Sequence, residues 1–135
     1  MNSEDIRAQA MSVVQDRAIF FMATVENGVP HVRPMTCLHA DGFRVWTASY
    51  KDTPKMKQIA KNNVVEACFL DDKNRQVRIL GTVQVYEEEE KWASLPIPPE
   101  FTPMVEDPNY VLLLIEPKEI RFVNDWSLNY KTIPV

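Results

Sequence analysis

The sequence predicts a mainly β (α+β) domain whose antiparallel strands close, or nearly close, into a barrel flanked by short helices. Three observations carry this. Asn27-Gly28 and Asp41-Gly42 are residue pairs that tight hairpin turns prefer, and each stands between apolar, β-prone runs. Residues 76–86 alternate strictly, with Val77, Ile79, Gly81, Val83 and Val85 on one face and Gln76, Arg78, Leu80, Thr82 and Gln84 on the other. Finally, some six or seven strands accompanied by only two or three short helices suggest a closed or nearly closed antiparallel barrel.

In chain order, Ser3 followed by Glu4 and Asp5 reads as a helix N-cap with acids in its first turn. Ile6, Ala10, Val13 and Val14 recur at helical spacing, so the helix is expected over about 4–15. A strand follows over 18–25, its hairpin partner over 29–39, and a third strand over 43–49, making a three-stranded meander. Thr53 is a good N-cap and Pro54 suits the first helical position, so a second helix starts there and ends at Asn62-Asn63. Strands are expected over 64–70 and 76–86, joined by a turn at 71–74. Glu87–Glu90 reads as the acidic first turn of a short helix, a solvated face rather than a cation site. Five prolines between 96 and 108 argue against regular structure there. Two last strands, 110–115 and 119–123, are expected on either side of Pro117. This makes six or seven strands and two or three helices in a single domain over 1–135.

Length and composition fit that reading. A chain of 135 residues with 45% apolar and 25% charged residues has the balance of one ordinary globular domain. The longest apolar runs are far too short to span a bilayer, and the N-terminus lacks the basic-then-apolar pattern of a secretory signal, which places the chain in the cytoplasm. A net charge of −4 gives no long-range attraction for a polyanion, so nucleic acid is not an expected partner. Cys37 and Cys68 lack CxxC spacing and read as buried thiols. His31 and His39 are eight residues apart with no third ligand nearby, so no metal site is expected.

Three places carry candidate chemistry. A helix N-terminus offers unpaired N–H groups and partial positive charge, and at Thr53-Pro54-Lys55 a hydroxyl and an ammonium are added to it, a compact seat for a phosphate dianion. In the second strand Arg33 and Met35 share a face, one supplying charge and the other a polarizable contact for a flat ring. In the segment Arg75-Gln76-Val77-Arg78, Gln76 offers both a donor and an acceptor to a ring edge that alternates N–H and C=O groups. Taken singly, each is more commonly the mark of an ordinary cap, a rim arginine or a solvated strand face.

Together they carry a resemblance. The ordered segments 20–24 (Phe-Phe-Met-Ala-Thr), 30–35 (Pro-His-Val-Arg-Pro-Met), 45–49 (Val-Trp-Thr-Ala-Ser), 52–55 (Asp-Thr-Pro-Lys), 63–65 (Asn-Val-Val), 75–81 (Arg-Gln-Val-Arg-Ile-Leu-Gly) and 113–117 (Leu-Leu-Ile-Glu-Pro) are similar to the FMN-binding split-barrel family of pyridoxamine 5′-phosphate oxidase, in its branch of small general-stress-like proteins. The similarity runs from about residue 17 to 126. It implies a split β-barrel that forms a homodimer with FMN in the clefts between subunits. Carried over residue by residue, Arg33, Lys55 and the Thr53 hydroxyl hold the phosphate, while Pro34, Met35 and Thr36 run beside the isoalloxazine. Thr47 and Ala48 complete that wall, Gln76 comes from the other subunit, and Trp126 stands near the cleft. The chain departs from the oxidases proper at its end, 129–135, which lacks the arginine and histidine that grip pyridoxamine phosphate.

The function expected from this is an FMN-dependent oxidoreductase acting on an unknown small molecule, with the cofactor carrying the redox chemistry and no catalytic side chain nameable. The alternative is a non-catalytic protein that stores or senses FMN, or holds haem, in the same cleft.

Overall fold

The computed structural model describes residues 2–135 as a single antiparallel sheet wrapped into a barrel. Its elements are α1 (Ser3–Met11), β1 (Ile19–Glu26), β2 (Val29–Thr36), β3 (His39–Asp41), β4 (Arg44–Tyr50), α2 (Pro54–Lys61), β5 (Val64–Leu70), β6 (Gln76–Tyr86), α3 (Glu89–Ala93), α4 (Thr102–Glu106), β7 (Tyr110–Val123) and β8 (Lys131–Ile133). The hairpin signals hold: Asn27 and Gly28 both take positive φ, as a type I′ connection requires, and β1 pairs with β2 from Ile19↔Thr36 to Glu26↔Val29.

Hydrogen bonding runs in the order β2-β1-β5-β6-β7-β4-β3, with β8 beside β7. The two ends of that path are neighbours along the chain, and this closes the barrel. The switch falls at Cys37-Leu38, where the Cys37 N–H donates to the Ala18 carbonyl (2.8 Å) and the Leu38 N–H to the Trp46 carbonyl (2.8 Å). The expected continuous strand 29–39 is therefore divided, because its two halves serve opposite neighbours. Between the halves β2 and β4 diverge, and the barrel is split there.

The interior is filled by the inward faces of all the long strands, including Phe20, Met22, Val45, Phe69, Val77, Ile79, Leu113 and Ile115, with Phe20 and Phe69 stacked at 4.7 Å. A second cluster lies outside the barrel. Trp46, Leu112 and Leu114 are covered by Trp92 of α3 and by Leu95, Ile97, Phe101, Met104 and Val105.

Several further expectations are corrected. The cap of α1 is Asn2, whose side chain accepts from the Asp5 N–H at 2.9 Å, and the helix ends at Met11 with Val13 and Val14 buried in the turn beyond it. The stretch 96–108 is not irregular throughout. A 3₁₀ turn at Pro99–Phe101 and α4 form there, because their prolines fall in first-turn positions where an N–H has no partner to lose.

Strand β7 runs unbroken through Pro117. That residue lies past the last pair with β4 (Val45↔Ile115) and before the first with β8 (Ile120↔Ile133), so its missing N–H leaves no ladder bond unmade. A bulge opposite Leu80/Gly81 leaves Lys118 unpaired and brings the backbone so close that a Cβ on Gly81 would collide with the Glu116 carbonyl oxygen. Lastly, Cys68 is half-buried rather than buried, and both cysteines are free thiols.

Candidate functional site

The split between β2 and β4 is a cleft of about 230 Å³. Pro34, Met35 and Thr36 form one wall, Thr47, Ala48, Ser49 and Tyr50 the other, and Lys55, Leu38, Met104 and Tyr110 complete it. Six residues singled out from sequence, Pro34, Met35, Thr36, Thr47, Ala48 and Lys55, thus line one space. The walls are held apart rather than zipped because the buried Thr47 hydroxyl, not a β4 amide, donates to the Thr36 carbonyl (2.7 Å).

Arg33 stands just outside the lining, half-buried, where its guanidinium donates to the Met22 carbonyl (3.1 Å) and to Gln58 Oε1 (3.1 Å). Gln58 is buried on α2; it also accepts from the Thr24 hydroxyl and donates through Nε2 to Glu26 (3.2 Å). Every oxygen on Arg33 is therefore neutral. Among the described residues neither Arg33 nor Lys55 forms an ion pair with a carboxylate. Burial lowers the pKa of both, and for Lys55 the nearby Arg33 charge lowers it further. Two half-buried cations that repel each other, with no anion between them, form a site whose electrostatics improve when a dianion arrives.

Thr53 differs in detail from expectation. Its side chain makes no cap bond to α2; its hydroxyl donates to the Tyr50 carbonyl (3.2 Å) and lies 3.2 Å from the Ser49 hydroxyl. The first turn of α2 is left without a side-chain cap, beside Lys55.

Sequence reading missed Gln58, Ser49, Tyr50, Met104 and Tyr110. Tyr50 and Tyr110 stack at 4.1 Å beside the cleft, and the Tyr110 phenol is pushed up to about 12, chiefly by the neighbouring Tyr50 phenol. Their only sequence signal was one aromatic at each end of two strands that proved to be paired, Tyr50↔Tyr110.

Gln76 and Trp126 are elsewhere. Gln76 opens β6 on the outer face of the sheet, where Tyr130 donates to its Oε1 at 2.7 Å. Trp126 is 61% exposed in the segment after β7 and does not line the cleft.

The remaining candidates have structural partners. His39 lies 3.3 Å from Asp16, and His31 is exposed on β2. Burial pushes the Cys37 thiol up to about 12, which removes it as a nucleophile. Among the described residues no group of three or more His, Cys, Asp or Glu side chains is placed to hold a metal ion. Among the described residues no helix is long and apolar enough to cross a membrane.

Comparison with known proteins agrees with this geometry. The family described as pyridoxamine 5′-phosphate oxidase matches residues 6–124. General stress protein 26 of Bacillus subtilis (strain 168) is 32% identical over 132 residues, 92% of each chain.

A solved structure from Clostridium acetobutylicum, related to general stress protein 26, superposes with a TM-score of 0.83 at 21% identity, covering 100% of this chain and 97% of its own. An FMN-binding, pyridoxamine 5′-phosphate oxidase-related protein from Nostoc punctiforme superposes at 0.68 with 18% identity, covering 93% and 85%. A heme binding protein from Mycobacterium smegmatis does so at 0.76 with 12% identity, covering 98% of this chain and 58% of its own. At these identities the superpositions establish a common fold.

Proposed function

The chain belongs to the pyridoxamine 5′-phosphate oxidase family, and on that premise we propose that it is an FMN-binding flavoprotein, an oxidoreductase that works as a homodimer. The observation that carries this reading is the pair Arg33 and Lys55, cationic, half-buried and without a carboxylate partner, at one end of a cleft that fits a flat ring. The phosphate would lie between these two cations near the uncapped start of α2. The isoalloxazine would run along Pro34, Met35 and Thr36 against Thr47 and Ala48.

The cleft also argues for a second subunit. Its 230 Å³ falls below the roughly 300–1,000 Å³ of sites that enclose such ligands, which fits a site that a second subunit completes. The outer face of β2, β1, β5 and β6 meets that need. Ile19 (56% exposed), Phe21, Val32 (69% exposed) and Leu70 form an apolar surface that begins at the cleft residues Pro34 and Thr36 and reaches Gln76. A contiguous apolar face of this kind is a protein contact surface, and two copies joined through it would each lend Gln76 to the other's cleft.

Bound FMN supplies two-electron or one-electron redox chemistry. The side chains would hold its phosphate, bound its ring and exclude water on one side; Lys55 and the phenols of Tyr50 and Tyr110 are the titratable groups in the lining. The alternative class is a non-catalytic FMN- or haem-binding protein. Neither histidine lines the cleft, which favours FMN over haem.

The visible spectrum of the purified protein, with any ligand identified by mass, tests the proposal. A flavin spectrum that bleaches with NADH or NADPH under nitrogen supports the oxidoreductase; flavin inert to both supports storage; a Soret band overturns FMN in favour of haem.

A further inference from the structure

On the outer face of β5, β6 and β7 lies a polar network that the cleft does not account for. Tyr130 places its ring under two guanidinium groups, those of Arg78 and Arg121, at 5.7 and 5.4 Å from the ring centroid. Both arginines are anchored on Glu66 Oε1, at 2.7 and 3.5 Å, and Arg121 also reaches Glu119 at 3.5 Å. The residues following Tyr130 are fixed in turn, since β8 pairs with β7 through Ile120↔Ile133 and Phe122↔Lys131. The Tyr130 hydroxyl is thus held on a rigid frame, and it donates to Gln76 Oε1 at 2.7 Å. The Cys68 thiol approaches the same oxygen at 4.0 Å.

An amide carbonyl has two lone pairs, and here both point at protein donors. The Gln76 Nε2 group has no hydrogen-bond partner among the described residues. A side-chain amide on a half-exposed strand would ordinarily turn freely between its two orientations; this one is fixed from one side only.

We infer that Tyr130 is a positioning residue for Gln76: it takes up the amide oxygen, so that Gln76 presents N–H donors to the hydrogen-bond-accepting edge of a flavin held by the partner subunit. The inference rests on the shared-cleft reading above and adds to it a direction, donor rather than acceptor, and a residue from beyond the family's matched segment, 6–124. Fixing the amide before binding spares the ordering cost that a loose glutamine would incur on contact with the ring.

A double-mutant cycle read as FMN dissociation constants, with fluorescence quenching as the probe, tests it. Tyr130→Phe keeps the ring under the two guanidinium groups and removes only the hydroxyl. In the native background it should weaken FMN about fivefold, the worth of one ordinary hydrogen bond, and in a Gln76→Ala background it should change nothing. Equal effects in both backgrounds would overturn the positioning role and leave the shared cleft standing. No effect of Gln76→Ala itself would overturn both.

Gln76→Glu, which replaces donors with acceptors at the same length, should bind FMN more weakly than Gln76→Ala; binding like the native protein would overturn the donor assignment. A readout that needs no variant is the Gln76 side-chain NH₂ resonance pair in nitrogen-15-labelled protein. It should move on addition of FMN, and its constancy under saturation would refute the contact.

Discussion

Two groups of cations lie on opposite sides of β2, β1 and β5, and they are treated differently. On the outer sheet face Arg78 and Arg121 are matched by Glu66 and Glu119 and support the ring of Tyr130. At the cleft, Lys55 in the lining and Arg33 just outside it have only neutral oxygens or each other. Neutralised charge builds structure, whereas charge left uncompensated is a cost to the empty protein that a ligand removes. The contrast separates residues that shape the fold from the residues to which the proposed function gives the phosphate.

The largest effect should come from removing the uncompensated pair. Arg33→Ala with Lys55→Ala should weaken FMN by two to four orders of magnitude, at about 1.5–3 kcal/mol per charged hydrogen bond, with the fold intact by circular dichroism; undiminished affinity would refute the phosphate assignment. Arg78→Met, on the compensated side, should weaken FMN by less than about tenfold, since it acts only through the support of Tyr130. Similar losses from both would erase the distinction between the two groups.

Next in size, Phe21→Asp sets a carboxylate in the apolar face. It should turn a dimer into monomers by sedimentation velocity and lose FMN at the same time. A monomer that binds FMN normally would sink the shared cleft. Gln76→Ala should cost about tenfold in FMN affinity and leave the dimer unchanged.

The smallest effects concern pH and the empty protein. Because burial and Arg33 depress the Lys55 pKa, this ammonium loses its proton below the ordinary lysine value of about 10.4. FMN affinity should therefore begin to fall at a pH below that value, and should fall again below about pH 6 as the phosphate takes up its second proton. A flat profile across both ranges would show that neither charge matters.

The sign for stability is opposite to that for binding. A cation whose folded pKa is depressed binds fewer protons folded than unfolded, so the FMN-free protein should gain stability as pH rises from the folded Lys55 value toward about 10.4. Lys55→Met should accordingly raise the melting temperature of the FMN-free protein slightly, the gain being small because the group is half-exposed and screened. A lowered melting temperature would show Lys55 to be structural.

What the sequence made legible follows from what acts locally. Asn27-Gly28, the alternation over 76–86 and Thr53-Pro54 are short-range signals, and each produced its turn, strand or helix. Pro117 misled, because whether a proline breaks a strand depends on which neighbour its missing N–H would have faced, and that is decided by β4 and β8 far away in the chain. Strand β8 is three residues long and carries no periodicity.

In the site, Arg33, Met35, Lys55 and the cleft walls were legible through side-chain type and strand face, with the resemblance to supply their arrangement. Gln58, Tyr110 and Met104 were not, since only the closure of the barrel and the packing of α4 bring them near Arg33 or Tyr50. The Thr53 hydroxyl was assigned to the helix but is taken by Tyr50 and Ser49, a competition that no local pattern reveals.

The central claim is that two uncompensated cations await the phosphate of a flavin. It is tested most directly by titrating the FMN-free protein with FMN and with riboflavin, which differ only in that phosphate. The expected result is FMN binding at least about a hundredfold tighter, with the preference abolished in the Arg33→Ala, Lys55→Ala protein. Equal affinity for the two flavins in the native protein, or a preference that survives the double substitution, would contradict it.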